Sequence, residues 1–404
     1  MSTGFVVIVF ALTYLGMAIG RVPGLKVDRT GIALLGAATL LAGGVVDARV
    51  AASSIDLATL VLMFGLMILS AQFGEAGLYA AASARIAAAA ASPRRLLALT
   101  VIVAGVLSAV LVNDIVVFAM TPMLCRGLMA RGLNPRPYLV ALAGAGNAGS
   151  AATLIGNPQN ILIGQVGALD FWDFFAVCAP PAAAGLVCVY VAVALIWRRE
   201  LAAATPEAAG PALPIDRPAT FKALAASVVL LLLFALPLPR EIAALAVAAL
   251  LLLSRTIASR HLIAAVDWHL LLLIACLFVV TSAFAATGIA ANAMQTAAAA
   301  GWTLDNLGVL SVGALIVSNT IGNVPATVLI LALWPELSTQ TLYGLAVLST
   351  LAGNLLIVGS LCNLIVAERA ATCGIRLGFT DFARAGAPMT LASMAIAAAW
   401  LAAI

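Results

Sequence analysis

Four apolar runs, 96–125, 137–169, 306–335 and 337–367, are each too long for one membrane crossing and too short for two. A helix covers the ~30 Å hydrocarbon core with about 20 residues. The surplus must go into a hairpin that leaves by the face it entered, or into a helix that breaks partway. Eight shorter runs accompany them: 4–20, 31–46, 57–74, 174–197, 223–239, 242–254, 268–286 and 385–404. Hydrophobic residues make up 64 % of the 404 residues and charged ones 9 %, against roughly 45–50 % and 25 % in soluble domains. That excludes a soluble globule. Continuous runs such as Ile242–Leu253 lack the alternation of a β-barrel. The chain is expected to be an all-α polytopic membrane protein.

Charge placement chooses between hairpin and crossing. If 96–125 and 306–335 are both re-entrant hairpins, only Arg49 and Arg240 of the 20 Lys and Arg residues fall outside. If both cross, the basic residues divide evenly between the two sides. Cytoplasmic loops are enriched in Lys and Arg, so hairpins are expected. The resulting architecture has about ten transmembrane helices, two re-entrant hairpins and two broken helices (137–169 and 337–367). Both termini then lie outside the cytoplasm of a bacterial-type inner membrane. Arg21 follows the first apolar stretch, which argues against a cleaved signal peptide.

A polar cytoplasmic linker, 200–218, separates two candidate repeats, 1–199 and 219–404, each with five spans and one hairpin. Five is odd, so the second repeat enters the membrane inverted. Three echoes agree: Phe73-Gly-Glu-Ala-Gly77 with Phe284-Ala-Ala-Thr-Gly288, Asn113 with Asn323, and Ile155-Gly156 through Asn160 with Val358-Gly359 through Asn363. Inverted repeats with interrupted helices are the build of secondary transporters, whose site lies where the repeats meet.

Polar residues inside a membrane are costly and are functional candidates by default. Here they gather in four places. The first hairpin carries Asn113, Asp114 and Thr121, and the first broken helix Asn147, Ser150, Thr153, Gly156, Asn157 and Asn160. The second hairpin carries Ser318, Asn319, Thr320, Asn323 and Thr327, and the second broken helix Asn354, Gly359, Ser360 and Asn363. Gly156-Asn157-Pro158 cannot propagate a helix, because Pro158 lacks a donor. A broken helix offers an N-terminal end to anions, while its unwound carbonyls and amide oxygens suit a small cation. Asp114 is the one acid expected deep in the membrane, as a Na⁺ ligand, a proton carrier or a helix cap. Asn113, Asp114, Asn160, Asn319 and Asn363 are the candidate Na⁺ ligands. No Lys or Arg is expected at the midplane, so a bound anion must be held by helix ends and amides, or be neutral when bound.

The six cysteines show no CxxC pairing and there are two histidines, so no bound metal or cofactor is expected beyond a coupling Na⁺ or H⁺. No nucleic-acid partner is expected. Nothing resembles HExxH, GxGD or GxxxxGK[ST], and the chain is not expected to be an enzyme.

At Asn113-Asp114 with Thr121-Pro122, Gly156-Asn157-Pro158-Gln159-Asn160, Asn323-Val324-Pro325, and Gly359-Ser360 with Asn363, the chain resembles the ion transporter superfamily. That group includes arsenite permeases, divalent-anion:sodium symporters, citrate transporters and some sodium/proton antiporters. The likeness covers essentially the whole chain and is greatest to arsenite-permease-like transporters with a citrate-transporter-type domain. It implies two re-entrant hairpins, a mobile domain holding the site, a scaffold, and a homodimer with elevator motion. The Ser-Asn-Thr tip of dicarboxylate symporters occurs at Ser318-Asn319-Thr320, while the first hairpin has Val112-Asn113-Asp114. The expected function is secondary transport of a small inorganic or organic anion, coupled to Na⁺ or H⁺. An arsenite or antimonite efflux permease exchanging with protons, and a Na⁺/H⁺ antiporter, are the alternatives.

Overall fold

A computed structural model describes residues 3–20, 24, 26–88, 92–203, 216–255, 257–334 and 336–404. Among them are 21 α-helices, one 3₁₀ turn and no strand. The first ten are α1 (Thr3–Ile19), α2 (Arg29–Ala42), α3 (Ala48–Ser54), α4 (Leu57–Glu75), α5 (Leu78–Ala88), α6 (Pro93–Val110), α7 (Asn113–Met129), α8 (Arg136–Ser150), α9 (Pro158–Val166) and α10 (Phe171–Ile196). After α11 (Arg198–Ala203) the order of lengths recurs: α12 (Arg217–Phe234), α13 (Arg240–Leu252), α14 (Ser259–Ala264), α15 (Trp268–Ala285), α16 (Ile289–Ala299), α17 (Leu307–Ile321), α18 (Asn323–Leu333), α19 (Thr339–Ala352), α20 (Leu361–Ala371) and α21 (Phe379–Ala403). Most of the expected 200–218 linker lies outside the described residues.

Among the described residues, six helices are long and apolar enough to cross a membrane: α4, α6, α10, α12, α15 and α21. The expected spans at 4–20 and 31–46 are shorter apolar helices of 17 and 14 residues. The interior is aliphatic, and large apolar side chains such as Phe221, Val228 and Leu232 on α12 point outward, as lipid-facing positions should.

Both long runs expected to turn back do so. In the first, α6 stops where Leu111 and Val112 go extended, and α7 starts at Asn113. The Tyr138 hydroxyl at the start of α8 donates to Pro93 O at the start of α6, and Gly149 near its end lies on Gly105 of α6, so α8 runs parallel to α6. Val117 of α7 packs on Gly146 and Asn113 bonds Ser150, so α7 runs back along α8. Helices α6 and α7 are therefore antiparallel arms of a hairpin. In the second, Gly322 turns the chain at φ 94°, a left-handed value that glycine adopts without strain. Asp305, just before α17, accepts hydrogen bonds from Ser338 and Thr341 beyond α18, which closes the base of that hairpin.

The two broken helices run in opposite directions. Leu342 near the start of α19 packs on Gly167 beyond the end of α9, while Thr350 near the end of α19 meets Gln159 at the start of α9. Helix α19 thus runs antiparallel to α9, and so to α8, which precedes it. The breaks of both pairs meet in the middle.

Candidate functional site

Each break is held by the same set of bonds. In the first, Asn157 caps α9 by accepting from Asn160 N at 2.8 Å, with Pro158 at the first helical position where no donor is needed. Asn160 Nδ2 donates to Ser150 O at 3.2 Å and to Thr153 O at 2.9 Å. In the second, Ser360 caps α20, and Asn363 Nδ2 donates to Gly353 O at 2.7 Å and to Leu356 O at 3.0 Å. The partners match at one spacing: 150 with 353, 153 with 356, 160 with 363, all 203 positions apart. The unwound carbonyls are thus gathered by one amide side chain in each half.

The breaks also interlock. Asn147 of α8 donates to Asn354 Oδ1 at 2.8 Å and to Asn363 Oδ1 at 3.0 Å, and accepts from the Ser360 hydroxyl at 2.9 Å. Thr350, which stands 203 positions later, accepts from Gln159 Nε2 at 3.1 Å and Asn157 Nδ2 at 3.4 Å. Each unbroken helix end therefore reaches across to the other half's break. All of these side chains are buried. Sequence reading singled out Asn147 but missed Thr350, whose signal was its matching position in the second half.

The hairpin tips close on the breaks. Asn113 N donates to Gly156 O at 2.9 Å and Asn113 Nδ2 to the Ser150 hydroxyl at 3.4 Å. Val112 N donates to Ser70 Oγ of α4 at 3.2 Å. Asn319 donates to Ala352 O at 2.8 Å and accepts from Leu356 N at 3.2 Å, against Gly359. Four helix N-termini, those of α7, α9, α18 and α20, converge here. Those of α7 and α18 have no side-chain cap from the preceding residue; Asn113 N is taken by Gly156 O, and Val324 N by Asn323 Oδ1. Asp114 sits in the first turn of α7, buried, and caps nothing. The helix-cap role anticipated for it is thus not seen; its carboxyl group stands in the first turn of a helix without a side-chain cap. Its match in the second hairpin, 210 positions on like Asn113 and Asn323, is the apolar Val324.

Several buried oxygens around the first tip have no hydrogen-bond partner among the described residues: Asn113 Oδ1, Asn160 Oδ1, Gln159 Oε1 and Ser108 Oγ. The Ser318 hydroxyl, 210 positions after Ser108, is unpartnered too. An oxygen left so in a dry interior costs roughly 1–3 kcal/mol, which marks where a small cation would be welcome. Not every expected residue joins the cluster. Thr320 is exposed and bonds Ile316 O, and Thr121 and Thr327 bond the carbonyls of Val117 and Asn323 in their own helices. Among the described residues no group of three His, Cys, Asp or Glu is placed to hold a metal.

Comparison with known proteins agrees with this architecture. The sequence model of the citrate transporter family matches residues 6–342. An uncharacterised transporter of Mycobacterium tuberculosis is 30 % identical over 410 residues, covering 93 % of this chain and 94 % of the relative. A silicon efflux transporter of Oryza sativa is 32 % identical over 190 residues, 45 % of this chain and 39 % of its own length. Among solved structures, the YdaH transporter of Alcanivorax borkumensis shares the fold with a TM-score of 0.58 at 17 % identity, covering 99 % of this chain and 97 % of that one.

Proposed function

The chain belongs to the citrate transporter family, and from that premise we propose that it is a secondary transporter of a small anion coupled to Na⁺ or H⁺. The reading takes 1–199 and 219–404 as inverted repeats, with hairpins 96–125 and 306–335 re-entrant in a bacterial inner membrane. One observation carries it: of two matching polar centres, the first carries an acid, Asp114, where the second has Val324. In the first, Asp114 follows Asn113 at the start of α7, and the oxygens of Asn113, Asn160 and Ser108 are buried without a partner among the described residues. A carboxylate with amide and hydroxyl oxygens is the donor set of a small hard cation. In the second, Val324 replaces the acid, and the N-termini of α18 and α20 stand without a fixed negative charge. The positive end of a helix dipole attracts anions. Cation and anion then sit side by side, and each lowers the electrostatic cost of the other.

A second reading follows from the silicon efflux relative. A neutral oxyacid would need hydroxyl and amide partners and no balancing cation, and the same Asn and Ser cluster supplies them. Asn160→Ala and Asn363→Ala separate the centres. In proteoliposomes, Asn160→Ala is expected to raise the half-saturating cation concentration at least tenfold, and Asn363→Ala that of the transported anion. Wild-type values for both ions in both variants would reduce the broken helices to a structural role.

A further inference from the structure

The two halves match in their helices and differ in how their half-helices meet the rest of the protein. At the end of α9, Arg240 at the start of α13 donates to Gly164 O at 3.2 Å and to Leu169 O, and Gln165 donates to the Glu241 carboxylate at 3.1 Å. Helix α9 also packs on α4, and every residue from Pro158 to Gly164 is buried. Among the described residues the matching end of α20 shows no such hydrogen bonds. The residues 203 positions after Gly164, Gln165 and Leu169 are Ala367, Glu368 and Thr372, and of these Glu368 and Thr372 are exposed. The residues 211 positions before Arg240 and Glu241 are Arg29 and Thr30, at the start of α2. Arg29 makes no hydrogen bond among the described residues. Its Nη1 instead lies 3.5 Å from where a Cβ would stand at Gly322, the tip of the second hairpin. A guanidinium at that tip departs from the expectation that no Lys or Arg approaches the centre.

These contacts place one arginine at the far end of a half-helix and its counterpart at a hairpin tip. A symmetric arrangement would give both the same neighbour. The broken-helix and hairpin unit is therefore displaced along its axis relative to α2 and α13, toward the Arg29 end. The length of α9, nine residues at ~1.5 Å each, puts the full exchange on the order of 10 Å. By the charge bias Arg29 is cytoplasmic and Arg240 external, so this is the cytoplasm-facing state.

We propose that Arg29 and Arg240 are gating residues that exchange partners during transport. In the opposite state Arg29 takes the carbonyls at the end of α20, Thr30 donates to the Glu368 carboxylate, and Arg240 moves to the first hairpin tip at Val112. A cation at a helix C-terminus is weakly favourable, enough to bias two states and too little to freeze either. Whichever arginine stands at a tip also brings positive charge to the substrate centre. The inference rests on the transporter reading given above.

Cross-linking tests it without knowledge of the substrate. In native membranes, Gln165→Cys with Glu241→Cys should be bridged by a short bifunctional maleimide in the present state, and Glu368→Cys with Thr30→Cys in the exchanged one, with single-cysteine variants as controls. Adding Arg240→Gln should raise the second yield severalfold and lower the first; Arg29→Gln should do the reverse. Absence of the Glu368–Thr30 bridge in the Arg240→Gln background, with the other pair still bridging, would overturn the exchange. Exchange without movement of any ion in vesicles would leave the gating pair standing and sink the transporter reading.

Discussion

Asp114→Asn is expected to give a folded, membrane-inserted protein that no longer couples transport to a cation. The substitution keeps the size of the side chain and removes a buried acid group, a kind of group that is costly inside a membrane. Because the carboxylate makes no hydrogen bond among the described residues, little native structure depends on it. Melting temperature should stay at or above the wild-type value. Cation-driven uptake should fall at least a hundredfold, and the stabilising effect of the coupling ion should vanish. Wild-type activity with an unchanged ion dependence would remove Asp114 from the coupling site.

Asn147→Ala is expected to be the most damaging change to the centre itself. It deletes three hydrogen bonds, to Asn354, Asn363 and Ser360, and leaves their polar atoms buried. Polar pairs between membrane helices average about 0.6 kcal/mol, while an orphaned buried group costs about 1–3; together these give a loss of roughly 2–5 kcal/mol. Binding of anion and cation should both fail, because Asn363 orders the second break and the first break is tied to the second through Thr350. Thr350→Ala should be milder, since the hydroxyl mainly receives bonds from Asn157 and Gln159. A thermal melt and a ligand titration on detergent-purified protein would check this; wild-type stability with intact binding of both ions would contradict the interlock.

Much of the architecture was legible because membranes leave few choices. Runs of intermediate length had to break or turn back, and charge bias chose the turning. The hairpins observed as α6–α7 and α17–α18 lie within a few residues of the expected 96–125 and 306–335. The motif Gly156-Asn157-Pro158 located the first break, although Pro158 begins the next helix and the unwinding itself starts at Ala151. Pairing was less legible. That Asn147 serves the second break and Thr350 the first depends on helices crossing about 200 positions apart. Thr121, Thr320 and Thr327 illustrate the opposite error, since a hydroxyl in an apolar helix can satisfy itself on the carbonyl four residues back. The roles of Ser70 and Ser108 emerged only from the tip they surround. Arg29 read as an ordinary loop charge until the second tip was seen beside it.

The most direct test of the central claim, paired cation and anion centres in one broken-helix core, is the melting temperature of the purified protein against Na⁺, Li⁺ and K⁺ at two pH values. Each is combined with sulfate, phosphate, citrate, succinate, tungstate or arsenite. A ligand at one hundred times its dissociation constant stabilises the folded state by about 2.7 kcal/mol. The account predicts a shift that needs one anion and either Na⁺ or low pH together, and that disappears in Asp114→Asn. A shift from Na⁺ or pH alone, with no anion adding to it, would contradict the paired site and favour a cation antiporter.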